Sequence, residues 1–379
     1  MEKRIRIISI ALFLSLFIIL VSCGNQKTEW KGTVEEENGV TVVKNPKEPI
    51  HKEDVFILEE ELSIGSGDEG EEYSFFRIGN IAVDDRESIY VADIASAHIR
   101  VFDSDGKYLR TIGRKGQGPG EMQMPRYVQI TSKNEVMVHD SMTQRMSFFS
   151  VDGKYLRQLS TAKTRTPYIP IKMDSQGNLI VFAAFAPPPV GGKELRIYDS
   201  DLELLMIVAK EERGTRGIFD IGKSSLYCDV SPSDNIVWGD SKEYVLQILN
   251  QRGDLIKKII KEYILIEITA EDKEKYEKQY AGPIKRGMRL NFRGHFPALS
   301  EISVDDEERV FVKTYERVEG REDLFYFDVF EAEGKYIAKV PIQANLNRDS
   351  IWKNNKLYSI EEDEEGYQVV KRYKVSWRY

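Results

Sequence analysis

The chain reads as an all-β ring of six four-stranded antiparallel blades, a β-propeller, and three observations predict it. The pentapeptide GKYLR stands at 106–110 and again at 153–157, with a looser copy, GKYIA, at 334–338. Asp93 to Asp140 and Gly106 to Gly153 are each separated by 47 positions, so whole units recur and not isolated turns. Each unit holds four short stretches rich in Val, Ile, Tyr and Phe, broken by Asp, Gly, Asn and Ser, which is the pattern of a four-stranded meander. Radial closure of such units protects their sheet edges.

The 379 residues, 41% hydrophobic and 31% charged, are enough for a large core. A formal charge of -8 argues against a sequence-independent grip on phosphates, which needs clustered Lys and Arg. Nucleic acid is therefore not an expected partner. At the amino end, Lys3, Arg4 and Arg6 precede an apolar run from Ile7 to Val21 that closes with LVSC at 20–23. Charged start, short apolar middle and small-residue stop predict an export signal over residues 1–22, too short to span a bilayer comfortably as a helix of ~20 residues. The ending resembles the bacterial lipobox, and that resemblance implies lipidation at Cys23. Apart from Cys23 there is only Cys228, so no internal disulfide is expected. Residues 23–50, polar and carrying Pro46 and Pro49, read as a flexible lipid-tethered spacer without a fold.

Residues 51–379 form the ring. The units run IAVDDRESIYVAD to RTIG, VQITSKNEVMVHD to RQLS, then from IKMDSQGNLIVFAA, from YCDVSPSDNIVWGD and from EISVDDEERVFVKT, with a partial sixth from SIWKNNKLYSIEED. In the GKY segments the Asp-Gly, Asp105-Gly106 and Asp152-Gly153, supplies the positive φ of a tight hairpin between third and fourth strands. The sixth unit has three strands and stops at Tyr379. VFILEEELSIG at 55–65 ends as a fourth strand does, Ser63-Ile64-Gly65 matching Thr111-Ile112-Gly113, so the amino-terminal strand is expected to complete the last blade. Between blades four and five an insertion from about Ile264 to Phe296 contains a helical stretch, with Thr269 as its cap and Asp272 answering three residues on.

VxxD(D/S)xxxxIYVAD followed by FDSDGKYLRTIG resembles the NHL repeat, and residues 55–379 are similar to six-bladed propeller lipoproteins of bacteria. The Asp that ends the second strand in that pattern is present as Asp93, Asp140 and Asp240, while Ala183, Thr314 and Glu361 replace it elsewhere. The resemblance implies an extracytoplasmic location. It also brings enzymes into view, lyases with His around the channel and lactonases with central carboxylates and a divalent cation.

Connectivity sorts the loops. Second-to-third turns and blade-to-blade crossings share one irregular face, and the other turns lie opposite. On the irregular side Arg126, His139, Arg289, Arg293 and His295 are the candidate ligand-binding residues, the last three within an insertion read as either a basic lid or a helix packed across the crossings, its charges solvated or paired with the acidic loop at 361–365. Other motifs yield to architecture. Gly116–Gly120 lacks the helix that a phosphate loop needs, Arg252-Gly253-Asp254 occupies a hairpin slot, and Pro187–Pro189 stiffen a loop. The chain has four His in all, too scattered to predict a metal ring, and Asp93, Asp140 and Asp240 read as turn-stabilising groups. With no nucleophile elbow, Cys-x-x-Cys or His-Glu-x-x-His, no cofactor, metal or catalysis is expected. The reading is a monomeric, lipid-anchored binding or scaffold module of the cell envelope for a protein, peptide or carbohydrate. The alternative is a metal-dependent hydrolase or lyase at the channel mouth.

Overall fold

The computed structural model describes residues 29–378 apart from 53–54, 66–69, 165–167, 186–191, 213 and 216. The export signal, Cys23 and Pro187–Pro189 lie outside the described residues. Blade one is the antiparallel sheet of Ile78–Val83, Ile89–Asp93, His98–Phe102 and Tyr108–Ile112. Blades two to five repeat it with first strands Pro125–Ile130, Tyr168–Met173, Leu226–Val230 and Glu301–Val304 and fourth strands Tyr155–Ser160, Leu204–Glu212, Leu255–Lys261 and Tyr336–Pro341. Blade six takes Ile351–Lys353, Lys356–Glu362 and Gln368–Trp377 from the carboxyl end and Phe56–Ile64 from the amino end. The closing pair is antiparallel from Phe56↔Trp377 to Ile64↔Val370, with one register shift between Glu60 and Leu62, and it forms as the matching strand endings predict.

The recurring GKY segment is a turn with a refinement. Only the glycine enters the left-handed region, at φ 80° for Gly106, 95° for Gly153 and 96° for Gly334. The Gly106 N–H donates to the Asp103 carbonyl, and the ladder shifts register between Val101 and Phe102. This is a three-residue hairpin with a glycine bulge, not a two-residue turn with two positive φ angles. Arg252-Gly253-Asp254 adopts the same turn, Gly253 at φ 83° and the Asn250 side chain accepting from the Arg252 and Asp254 amides.

Neighbouring blades are clamped by polar side chains, five from first strands and one, Gln368, from the third strand of blade six. The Asn80 amide pairs with both backbone groups of Val128 (2.6 and 3.1 Å), and the Gln129 amide does the same with Met173 (2.8 and 2.7 Å). Lys172 donates to the Val230 carbonyl at 2.8 Å, Asp229 accepts from the Val304 amide at 2.8 Å, and Trp352 donates to Ser303 at 2.9 Å. Gln368 closes the circle by accepting from the Ile78 amide at 2.7 Å. Six joints are thus bridged by polar contacts in places where an unpaired backbone group would cost about 1–3 kcal/mol. Between blades four and five a further knot forms on Asp328, which is fully buried and accepts from Tyr244 (2.6 Å), Lys261 (3.1 Å) and Tyr336. The ammonium also lies over both rings, 5.0 and 4.8 Å from their centroids.

The segment read as a flexible spacer is structured over its described part. Thr33–Glu37 and Val40–Asn45 form a hairpin, and the second strand adds in parallel to Leu255–Lys261, making blade four six-stranded. Val42 and Val43 are buried there, which is why this short apolar run docks and does not stay solvated. Asn45 then pins the chain to blade five, donating to the Gly334 carbonyl and accepting from the Tyr336 amide and Trp30. His51 bridges to Ala338 before the chain enters blade six at Phe56. One continuous belt therefore spans three blades.

The insertion carries helices α1 (Ala270–Gln279) and α2 (Ala281–Lys285). Thr269 and Asp272 form the reciprocal capping box that the sequence predicts, and Asp272 also pairs with Arg317 of blade five. Arg289–Phe292 adds in parallel to Ile218–Ile221 from the crossing between blades three and four, and Ile221, Ile268 and Phe296 bury a small satellite core beneath.

Asn45→Ala is expected to cost about 1–3 kcal/mol, because it orphans the buried Tyr336 amide. Urea unfolding and faster hydrogen exchange at Tyr336 would register it. Asp328→Asn strands the buried Lys261 ammonium without its counter-charge and should cost about 3–5 kcal/mol in the same assay.

Candidate functional site

The first strands of all six blades surround a central channel of about 220 Å³, lined by Asn80, Gln129, Lys172, Asp229, Asp305 and Trp352 among others. At the irregular face a second cavity of about 180 Å³ opens over blades six, one, two and three, sharing Tyr127, Arg348 and Asp349 with the channel. Its wall carries three guanidinium groups, Arg77, Arg126 and Arg348, beside His139 and Tyr168.

Local geometry explains how each side chain arrives. Arg126 is the extra residue of a bulge, since Pro125 faces Asp140 while Tyr127 faces His139, and a bulge re-aims the side chain it displaces. Its Nε donates to the Ser141 hydroxyl at 3.1 Å. Blade one makes room for this approach with Gly79, where a Cβ would sit 2.7 Å from the Arg126 carbonyl oxygen. His139 closes the second strand of blade two and stacks on Tyr168 of blade three, centroids 5.0 Å apart. Arg77 and Arg348 lie in the crossings that enter blades one and six, Arg348 within 3.9 Å of Asp349. Arg77 and Arg126 have no carboxylate partner among the described residues.

Burial sets the protonation of the acids and bases here. It drives His139 down to about 4, the neighbouring Arg126 assisting and Asp140 opposing, so the imidazole is neutral at pH 7. Its Nδ1 is buried without a hydrogen-bond partner among the described residues, as is the Tyr168 hydroxyl. The Asp349 carboxyl is pushed up by burial, with Arg348 opposing. Deeper in, burial raises Asp229 against Lys172 and two backbone amides. Glu301, at the entrance of blade five, is lifted to about 7 by burial, the Ile302 amide and Arg348 opposing and Asp229 adding.

Of the candidates read from sequence, Arg126 and His139 meet in the mouth cavity. Arg289, Arg293 and His295 do not line it; they are exposed on the insertion, whose strand and helices sit over the crossings of blades three to five. Those three, with Lys285 and Arg286, form no ion pair with the 361–365 loop, whose Asp363 instead caps its own turn by accepting from the Glu365 and Tyr367 amides. Asp93 and Asp140 stabilise turns, Asp140 accepting from the Gln123, Met124, Met142 and Thr143 amides. Among the described residues no three His, Cys, Asp or Glu side chains converge as metal ligands would. Sequence reasoning missed Arg77, Arg348, Asp349 and Tyr168. Their shared signal is position, each falling within a few residues of the start of a blade's first strand.

The family profile of DUF5128, described as a 6-bladed beta-propeller, matches residues 70–183. No curated protein matches the chain in sequence. Among solved structures, a Bacteroides fragilis protein described as exported superposes with a TM-score of 0.54 at 12% identity, covering 89% of this chain and 100% of its own. A DUF4221-family member from Bacteroides vulgatus gives 0.53 at 12%, covering 86% and 100%. These likenesses share the fold.

The depressed His139 gives a signed pH dependence. Between about pH 4 and 6.5 the unfolded chain holds a proton on this ring that the folded chain does not, so stability falls as pH drops through that window. Compared with His139→Gln by urea unfolding, the wild type should gain up to about 3 kcal/mol from pH 4 to 6.5, and the difference should be flat above.

Proposed function

We propose that this chain is an extracytoplasmic binding module, anchored by a lipid on Cys23, that holds its ligand at the channel mouth on the irregular face. One observation carries the reading. In an acidic protein rich in carboxylates, three guanidinium groups, Arg77, Arg126 and Arg348, line a cavity with one carboxylate, Asp349 beside Arg348, and Arg77 and Arg126 form no ion pair among the described residues. Like charges gathered around an open space are unfavourable unless something of opposite sign occupies it, and departures from local self-consistency concentrate at functional sites.

Location rests on the signal-like segment and on the family of folds, one solved relative of which is described as exported. Among the described residues no helix is long and apolar enough to cross a membrane. Attachment is assigned to the lipid from the LVSC ending at 20–23. The second reading is a metal-dependent hydrolase or lyase at the channel mouth; among the described residues no three His, Cys, Asp or Glu side chains converge as its ligand set would.

Cys23→Ser should move the protein from the membrane fraction to the soluble extracytoplasmic fraction on cell fractionation. Retention in the membrane would overturn the anchoring. Screened on peptide and glycan arrays, this released protein should show hits that Arg126→Glu abolishes at unchanged thermal midpoint. Hits indifferent to that change would place the site elsewhere.

A further inference from the structure

Resting on the mouth-site reading above, we infer that the group the cavity receives is the terminal carboxylate of a peptide whose last side chains are apolar. Four observations converge on it. First, the wall offers guanidinium groups, whose planar forks match a two-oxygen anion. Second, Asp349 stands in the same wall beside Arg348, and a carboxylate there disfavours a dianion such as a phosphate monoester while accepting well from an amide N–H. A peptide end supplies both a single negative charge and an N–H next to it.

Third, the cavity is small. At about 180 Å³ it falls below the ~300–1,000 Å³ that enclose whole drug-sized ligands, so it takes the end of a longer molecule while the rest stays outside. Fourth, exposed apolar side chains accompany the wall. Ile169, 50% exposed, lines the cavity itself, and Phe76 (79%) and Met142 (57%) are exposed next in sequence to the wall residues Arg77 and Ser141. Exposed large apolar side chains around a charged pocket suit a chain with apolar side groups better than a hydroxyl-covered sugar. His139 and Tyr168 stack in the wall, and the neutral imidazole leaves the guanidinium groups as the positive charges of the mouth at pH 7.

The inference is tested on the full-length Cys23→Ser protein by fluorescence anisotropy with matched labelled peptides. One member of each pair ends in a free acid and the other in an amide, with Leu, Phe or Gly last. Free acids ending in Leu or Phe should bind, and amidation should weaken them by about tenfold to a hundredfold, the worth of a charge-assisted contact. Arg126→Gln and Arg348→Gln should each do the same at unchanged unfolding midpoint, and Phe76→Ser should weaken Leu and Phe ends more than Gly ends. Equal binding of acid and amide would overturn the carboxylate and leave a mouth site standing. Peptides failing while an oligouronate binds in an Arg126-dependent way would overturn the peptide. If neither peptides nor oligouronates respond to either arginine, the mouth-site reading falls as well.

Discussion

A ring of sheets is only as sound as its joints, and here each joint is bridged by a polar side chain, which in four of them reaches from one first strand to the backbone of the next. Face-to-face packing of blades buries apolar surface but is non-directional, so it does not set how far one blade rotates against another. The Asn80, Gln129, Lys172 and Asp229 contacts do set it, since each has a fixed donor and acceptor to satisfy. The chemistry of the clamp changes around the ring, from neutral amides to an ammonium and then a carboxylate.

The mouth cavity inherits its composition from the same geometry. Bringing first strands close enough to clamp leaves no space for a side chain at Gly79, and the bulge at Arg126 fills that approach with a main-chain carbonyl while sending its guanidinium outward. Structure and site are therefore not separable here. The arginine is at the mouth because the joint between blades one and two needs an irregular strand.

Blade number, hairpin positions and the closing strand are legible in the sequence because they rest on local signals: the glycine of each GKY turn, strand-length apolar runs, and the matched endings at Ile64 and Ile112. The capping box at Thr269 is legible for the same reason. The belt over residues 33–51 is not, because its parallel partner lies more than 200 positions away at Leu255–Lys261 and nothing in TVEEE or VTVVKN announces it. The mouth is half legible. Arg126 and His139 stand out as basic groups at strand ends, whereas Arg77, Arg348 and Asp349 come together only through ring closure, which no window of sequence contains. The basic insertion misleads for a related reason. Arg289, Arg293 and His295 form a dense local run, and density along a chain says little about which opening it faces.

The pairing of Phe56–Ile64 with Gln368–Trp377 also orders events in time. The strand that closes the circle is made among the first and its mate among the last, so the seam can zip only once nearly the whole polypeptide has been released. Until then an aliphatic edge is left without its partner. Such a high contact order makes the last step slow, because the entropy of joining distant segments is lost before their contacts reward it. A chain built this way keeps its ring open until its last blade has emerged.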